Sequence, residues 1–116
     1  MTLQKKKIAK KFDGIYSLDV LEHIHKKKEN VFIKNLKNSL KTHGSLIIGM
    51  PSLESQKYAS KWSKLGHINC KTKKELKKLL HRYFNNVYMF SMNDEVLHTG
   101  FDSMSHYILA IANSKK

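Results

Sequence analysis

Short apolar runs alternate with amphipathic helical segments along this sequence, and that alternation constrains the fold more than any other feature. Two runs, 12–18 and 45–50, have the length of strands, and apolar residues recur at helical spacing between them. The predicted strands and helices are, in order, 12–18, 29–40, 45–50, 72–84, 87–92 and 106–112. This β-α-β-α-β-β order predicts an α/β fold with a mostly parallel sheet. The final strand is expected to be antiparallel, because no helix separates the last two strands.

Local signals refine the ends of these elements. Thr72 and Glu75 form a capping box at the start of the second helix. Gly44 is expected to end the first helix in the left-handed conformation. The run at 45–50 does not alternate, which favours burial on both faces, as in a parallel sheet. Residues 52–70 form a long polar loop, and such loops inside small domains are usually functional.

The chain is strongly basic, with a formal net charge of +13 over 116 residues. Residues 1–11 form a lysine-rich lead, and Arg82 is the only arginine. Proteins that read bases or clamp phosphates favour arginine for its rigid fork. We therefore interpret the charge as solvated lysines and expect no nucleic-acid partner, although a functional polyanion-binding surface stays open as an alternative.

Cysteine content and hydropathy indicate the cellular compartment in which the protein is expected. Cys70 is the only cysteine, which excludes an intramolecular disulfide and multi-cysteine zinc sites. The residue is expected to be a small buried side chain. No apolar run approaches the length of a membrane span, and the basic start lacks the apolar segment of a signal peptide. The sequence thus predicts a cytoplasmic protein without a membrane association.

The segment 12–24 (FDGIYSLDVLEHI) resembles the fourth strand and following turn of class I S-adenosylmethionine-dependent methyltransferases. Residues 36–50 resemble that family's next helix, glycine turn and fifth strand, and residues 72–84 resemble the helix after it. The closing pair of strands matches the antiparallel end of the family's sheet. The resemblance implies a partial Rossmann-like methyltransferase sheet, with S-adenosylmethionine as the cofactor of the complete enzyme.

The sequence also departs from that family. The family carries a glycine-rich loop after its first strand and an acidic residue after its second, and neither occurs here. We therefore interpret residues 1–116 as one domain that corresponds to the C-terminal half of a methyltransferase, truncated and inactive alone. Residues 12–18 would then form an exposed apolar sheet edge, which proteins avoid. We expect another chain to cover it, either in a homodimer or as a separate N-terminal half.

The resemblance also implies positions for the cofactor and a metal. Ser17, Leu18 and Asp19 would line the cofactor at the end of the central strand, where open α/β sheets bind ligands. Asp19, Glu22 and His23 would share one face of a helical turn, and oxygen and imidazole groups can hold a divalent cation. His67 is a candidate further ligand. In the alternative, the two carboxylates cap backbone amides and His23 packs beside the cofactor.

The acceptor would lie among loops that follow the strands. His67 and His98 are candidate catalytic bases, because imidazole titrates near neutral pH. The remaining candidates for a small-molecule acceptor pocket are Tyr58, Trp62, Asn93, Asp94, Glu95 and Thr99. In the alternative interpretation, these residues form no pocket and are polar only because they lie in surface loops.

Two functions follow from these observations. The first is methyl transfer to an oxygen or nitrogen of a small molecule, once the missing half is supplied. The second is a non-catalytic interaction module that uses the exposed edge and the basic surface to bind a protein or RNA.

Overall fold

The computed structural model describes residues 10–93, 96–100 and 104–116. Most of the lysine-rich lead, together with Asp94 and Glu95, lies outside the described residues. The strands are β1 (Phe12–Leu18), β2 (Leu40–Pro51), β3 (Phe84–Asn93), β4 (Val96–His98) and β5 (Tyr107–Lys115). The α-helices are α1 (Lys26–Asn38), α2 (Lys61–Gly66) and α3 (Lys73–His81), and short 3₁₀ turns cover Leu21–His23 and Glu54–Tyr58.

Within the described residues the strands form one sheet in the order β1-β2-β5-β3-β4. β1 and β2 are parallel, and β5 pairs antiparallel with both β2 and β3. β1, β2 and β3 therefore run in one direction, and their carboxyl ends share one edge of the sheet. The predicted order and the antiparallel final strand are confirmed. β4 was not predicted, because it is only a short return of the chain along the end of β3.

Helix α1 ends earlier than predicted, and Gly44 does not terminate it. Ser39 closes the helix, and Gly44 lies inside β2 without a positive φ. A Cβ at Gly44 would lie 2.8 Å from Leu40 Cδ2 and 3.0 Å from the Asp13 carbonyl oxygen. The glycine is needed because the register between β1 and β2 shifts here and brings the two backbones close together.

Helices α1 and α3 contribute to a single apolar core with one face of the sheet. Leu46, Ile48 and Met50 of β2 are fully buried in it. The predicted capping box of α3 is present: Thr72 Oγ1 accepts from the Glu75 N–H at 3.1 Å, and the Glu75 side chain accepts from the Thr72 N–H at 3.0 Å. No described helix has the length and apolar character that a membrane crossing requires.

The second face of the sheet is only partly covered by the described residues. Tyr16, Ile47, Ile111 and Tyr88 are cross-strand partners and therefore form one row on that face. Tyr16 is 75% exposed, Tyr88 53% and Ile47 38%. The expected burial of the β2 run on both faces is thus wrong for this part of the chain, because the helices that pack on the sheet cover the opposite face.

β1 is the first strand of the sheet and pairs only with β2 among the described strands. Tyr16 and Leu18 are exposed along it. Residues 12–18 therefore form the bare edge that the sequence predicts. Whether a second copy or a separate half covers this edge stays a prediction.

Candidate functional site

The carboxyl ends of β1 and β2 hold the candidate site. β1 ends at Leu18, and the next residue, Asp19, has a positive φ of 59°. The Asp19 N–H donates to the Gly49 carbonyl of β2 at 3.0 Å, which ties the turn to the sheet. The chain then enters the 3₁₀ turn Leu21–His23. The left-handed residue turns the chain sharply, so that Glu22 is directed into the protein.

Glu22, His23 and His67 come together at this edge. One ligand atom from each lies within 4.8 Å of the others. Glu22 is 1% exposed, and its Oε1 has no hydrogen-bond partner among the described residues. Its Oε2 lies 3.6 Å from His23 Nε2. A buried carboxylate oxygen without a donor is costly unless a cation or proton satisfies it.

Both imidazoles are held by their Nδ1 atoms. His23 Nδ1 lies 2.6 Å from the Gly66 carbonyl oxygen, and His67 Nδ1 lies 2.9 Å from Gln56 Oε1. Because these oxygens accept, each Nδ1 donates to them, and Nε2 is the ring nitrogen that each histidine has left for another partner. This is how proteins orient histidines that bind metals. The ring centroids of the two histidines are 5.1 Å apart.

Burial sets the electrostatics of the cluster. It raises the pKa of Glu22, against the effects of its own backbone hydrogen bond and of His23, which lower it, while Asp19 raises it further. Nearby Cys70 is buried, and burial together with the Glu22 charge raises the pKa of its thiol to about 11. Its thiol is therefore protonated and unreactive at neutral pH. These shifts describe a site in which negative charge is poorly compensated.

A buried ion pair anchors the loop that carries His67. Lys71 Nζ lies 2.9 Å from Glu29 Oε1, with side chains only 6% and 12% exposed. Asn69 also donates to this carboxylate at 2.9 Å, and its backbone N–H donates to the Glu22 carbonyl at 2.9 Å. The loop is thereby fixed to both α1 and the 3₁₀ turn. No sequence signal predicted this anchor, since its members are far apart along the chain.

The other predicted cofactor and metal residues are not among the three grouped ligands. Asp19 is exposed and not among the clustered ligands; Tyr107 donates a hydrogen bond to it, and burial and that bond raise the pKa of Tyr107. Ser17 is buried at the end of β1, and its Oγ has no partner among the described residues. Leu18 beside it is exposed. Ser17, Leu18 and Asp19 do line the carboxyl end of β1, as expected.

The predicted acceptor residues do not form one pocket. His98 lies on β4, four strand positions across the sheet from β1, and is not among the grouped ligands at the end of β1. It binds the Gly100 carbonyl through Nδ1. Thr99 accepts from Lys73 on α3, and Asn93 accepts from the His106 backbone. Asp94 and Glu95 are outside the described residues.

A separate cavity of about 390 Å³ has no residue of this cluster in its lining. It shares the 3₁₀ turn Glu54–Tyr58 with the Gln56 that orients His67. Its lining residues are Glu54, Ser55, Lys57, Tyr58, Met104, Ser105 and His106. Glu54 Oε1 has no partner within the described segments. The sequence indicated Tyr58 here but missed Met104 and His106, which enter the site only because β5 inserts beside β2.

Comparison with solved structures identifies the fold. The N-methyltransferase NodS from Bradyrhizobium japonicum WM9, solved with S-adenosyl-L-homocysteine, matches with a TM-score of 0.64 at 17% identity, over 97% of this chain and 51% of NodS. The small RNA methyltransferase HEN1 matches with a TM-score of 0.68 at 16% identity, over 96% of this chain and 15% of HEN1. The methyltransferase domain of bacterial CtHen1-CN matches with a TM-score of 0.65 at 16% identity, over 97% of this chain and 59% of the CtHen1-CN chain.

No protein-family model matches the sequence, and no curated protein matches it significantly. The chain spans about half of NodS and a smaller share of HEN1. The alignment nevertheless extends over nearly all of this chain, and the strand order agrees with the order expected from the sequence. The chain therefore has a class I methyltransferase fold and spans only part of the methyltransferases it resembles.

Proposed function

We propose that this chain supplies the C-terminal half of an S-adenosylmethionine-dependent methyltransferase that acts on an oxygen or nitrogen of a small molecule. The observation that carries the proposal is the cluster of Glu22, His23 and His67 at the carboxyl edge of a methyltransferase sheet. Ligands of open α/β sheets bind at that edge. Ser17, Leu18 and Asp19 would form the cofactor wall beside the cluster, and the buried Ser17 hydroxyl has no partner in the described part of the chain.

The rest of the cofactor site would come from a half that carries the glycine-rich loop. The bare edge of β1 and the exposed row of Tyr16, Ile47 and Tyr88 support this, because parallel sheets are normally covered on both faces. The same polypeptide or a separate chain could provide that half, and a homodimer would cover the edge without completing the site. The sequence lacks the family's glycine-rich loop and the acidic residue that would bind the ribose. We therefore expect residues 1–116 to bind the cofactor weakly.

The reaction would be a direct displacement. S-adenosylmethionine, when bound, would supply a sulfonium methyl group to a lone pair of the acceptor oxygen or nitrogen and would depart as S-adenosylhomocysteine. The acceptor proton would pass to a base in the site. The chain contributes orientation of the acceptor in the cavity beside Tyr58, and proximity of this kind lowers the barrier substantially.

The donor set also fits a divalent metal. Glu22 Oε1 has no hydrogen-bond partner within the described segments, and the Nδ1 atoms of His23 and His67 are engaged, which leaves their Nε2 atoms as the ligand atoms. Two imidazoles and a carboxylate suit Mn²⁺, Fe²⁺ or Zn²⁺ better than Mg²⁺. When bound, such a metal would polarise an acceptor hydroxyl. His67 has a single free nitrogen, so it acts either as a metal ligand or as a base.

Two titrations test the proposal. Mn²⁺ is titrated into the chain by calorimetry, and Glu22→Gln and His67→Ala are compared with the control His43→Ala, an exposed histidine of β2. We expect saturable binding that both site variants abolish and the control retains. Absence of Mn²⁺ binding by the parent, in a chain shown to be folded, would contradict the metal role and leave His67 as the candidate base.

S-adenosylhomocysteine is titrated separately. We expect weak binding by residues 1–116 and tighter binding once a cofactor-binding half is present. Micromolar binding by residues 1–116 alone would contradict the division of the site between two halves.

The second candidate function is a non-catalytic interaction module. The apolar edge of β1 favours it, because an unpaired strand is a template for another strand. In that case the chain would bind a partner through residues 12–18, and Glu22, His23 and His67 could be substituted without loss of the interaction. The same Glu22→Gln variant therefore separates the two functions.

A further inference from the structure

A groove on the far edge of the sheet has no role in the proposed methyl transfer. It encloses about 550 Å³ between α3 and β3. Its lining residues are Lys73, Lys74, Lys77, Val87, Tyr88, Met89, Phe90 and Thr99. It lies across the sheet from β1, so it is distinct from the edge assigned to the cofactor-binding half.

The groove contacts the edge of β3 rather than one of its faces. Side chains alternate between the two faces of a strand, so a cavity on one face touches every second residue. Here four consecutive residues, Val87 to Phe90, line the cavity. Val87 is buried on the core side and Tyr88 is exposed on the other. A ligand in the groove would therefore meet the main chain of β3.

That main-chain edge is unpaired in the described part of the protein. Residues 84–90 of β3 pair with β5 on one side, whereas β4 pairs only with Ser91, Met92 and Asn93. The unpaired stretch is roughly 20 Å long at the usual rise of a strand. Its outward N–H and C=O groups can form a ladder with an added strand.

The charge of the groove is positive throughout. Lys73, Lys74 and Lys77 line it, and none of its lining residues within the described segments is acidic. Glu75, the acidic residue on the same helical turn, is held by its capping hydrogen bonds to Thr72. Lys73 donates to the Thr99 carbonyl, and both residues line the groove, whereas Lys74 and Lys77 are exposed.

We propose that this groove binds an extended acidic peptide segment of a partner protein, which adds to β3 as a strand. The unpaired edge would supply the main-chain hydrogen bonds, Met89 and Phe90 would contact apolar side chains, and Lys74 and Lys77 would pair with carboxylates. A nucleic acid fits less well, because it cannot complete a strand ladder and the groove contains no arginine fork.

The test uses a fluorescein-labelled peptide of about eight residues that alternates valine and glutamate, measured by anisotropy. We expect Lys74→Glu/Lys77→Glu to weaken binding roughly tenfold or more. The matched control is Lys27→Glu/Lys28→Glu, which makes the same charge change on exposed positions of α1 and should reduce binding less than threefold. Amide hydrogen exchange should slow at residues 85–90 when the peptide binds.

Three results would overturn the proposal. One is equal weakening by both pairs of substitutions, which would indicate general charge attraction. Another is undiminished binding of the same peptide with alternate backbone nitrogens methylated, since that peptide cannot complete the ladder. The third is an oligouridylate that binds the parent more tightly than the peptide and leaves the β3 amides unprotected.

Discussion

The apolar core and the carboxyl edge of the sheet differ in how their buried groups are satisfied. In the core, Phe32, Leu36 and Leu80 contact other apolar side chains and carry no polar group. At the carboxyl edge, Ser17 Oγ, Glu22 Oε1 and Asn69 Oδ1 are buried without partners among the described residues. The first region is built for stability, whereas the second holds unsatisfied polar atoms of the kind a ligand would complete.

The largest stability effect is expected in the core. Phe32→Ala removes a 2% exposed aromatic ring from beneath the sheet. Transfer and cavity costs together should lower the free energy of unfolding by about 3–5 kcal/mol, measured by urea denaturation. A loss below about 1 kcal/mol would contradict the assignment of this region as the rigid core.

Lys71→Met tests the anchor between the two regions. The substitution leaves Glu29 buried without its cation, which should cost roughly 3 kcal/mol of unfolding free energy. Because the same loop carries His67, the affinity for Mn²⁺ should fall as well. Glu29→Gln/Lys71→Met removes both charges and should recover much of the stability. Failure of the double variant to recover any would show that the charges themselves are not the cause.

Thr72→Ala probes the capping box of α3, which belongs to the core region. Loss of the hydrogen bond to the Glu75 N–H should cost about 1 kcal/mol without changing Mn²⁺ binding. These hydrogen bonds also lower the pKa of Glu75. Its contribution to stability is therefore present above its unfolded pKa near 4.5 and is lost as the pH falls through the lower folded value.

Denaturation of Glu75→Gln between neutral and acid pH checks that sign. The variant should lose less stability than the parent as the pH falls below 4.5. A steeper loss in the variant would contradict the assigned direction. The effect should be small, because the Glu75 side chain is exposed.

Glu22→Gln should have the smallest effect on stability and the largest on the site. No described residue donates to Oε1 of its buried carboxylate, so removal of the charge should leave the free energy of unfolding within about 0.5 kcal/mol of the parent, or raise it. Mn²⁺ binding should be lost. A loss of several kcal/mol would instead assign Glu22 to the structural framework and remove the contrast between the regions.

Prediction from sequence succeeded where the controlling interactions are local. The capping box at Thr72 and Glu75 and the apolar stripe through Leu76, Leu79 and Leu80 predicted α3 to within a few residues. The prediction for Gly44 is wrong because a glycine that follows a helical segment can either end the helix or lie in the next strand, and the local sequence does not distinguish the two. Its role depends on the backbone of β1, which is distant in sequence. His98 was grouped with His67 because their loops both follow strands, whereas the sheet places four strand positions between β4 and β1.

Local sequence patterns were enough to predict strands β1, β2, β3 and β5, helices α1 and α3, and the turn that carries Glu22 and His23. These depend on hydrophobic period, capping and the chemistry of neighbouring residues. Three features depend on the folded chain: β5 inserts between β2 and β3, the Lys71–Glu29 anchor brings His67 to Glu22, and β3 has a basic edge that no described strand pairs over residues 84–90. Each of those outcomes joins residues far apart in the chain, and such contacts form through packing and burial that no local pattern encodes.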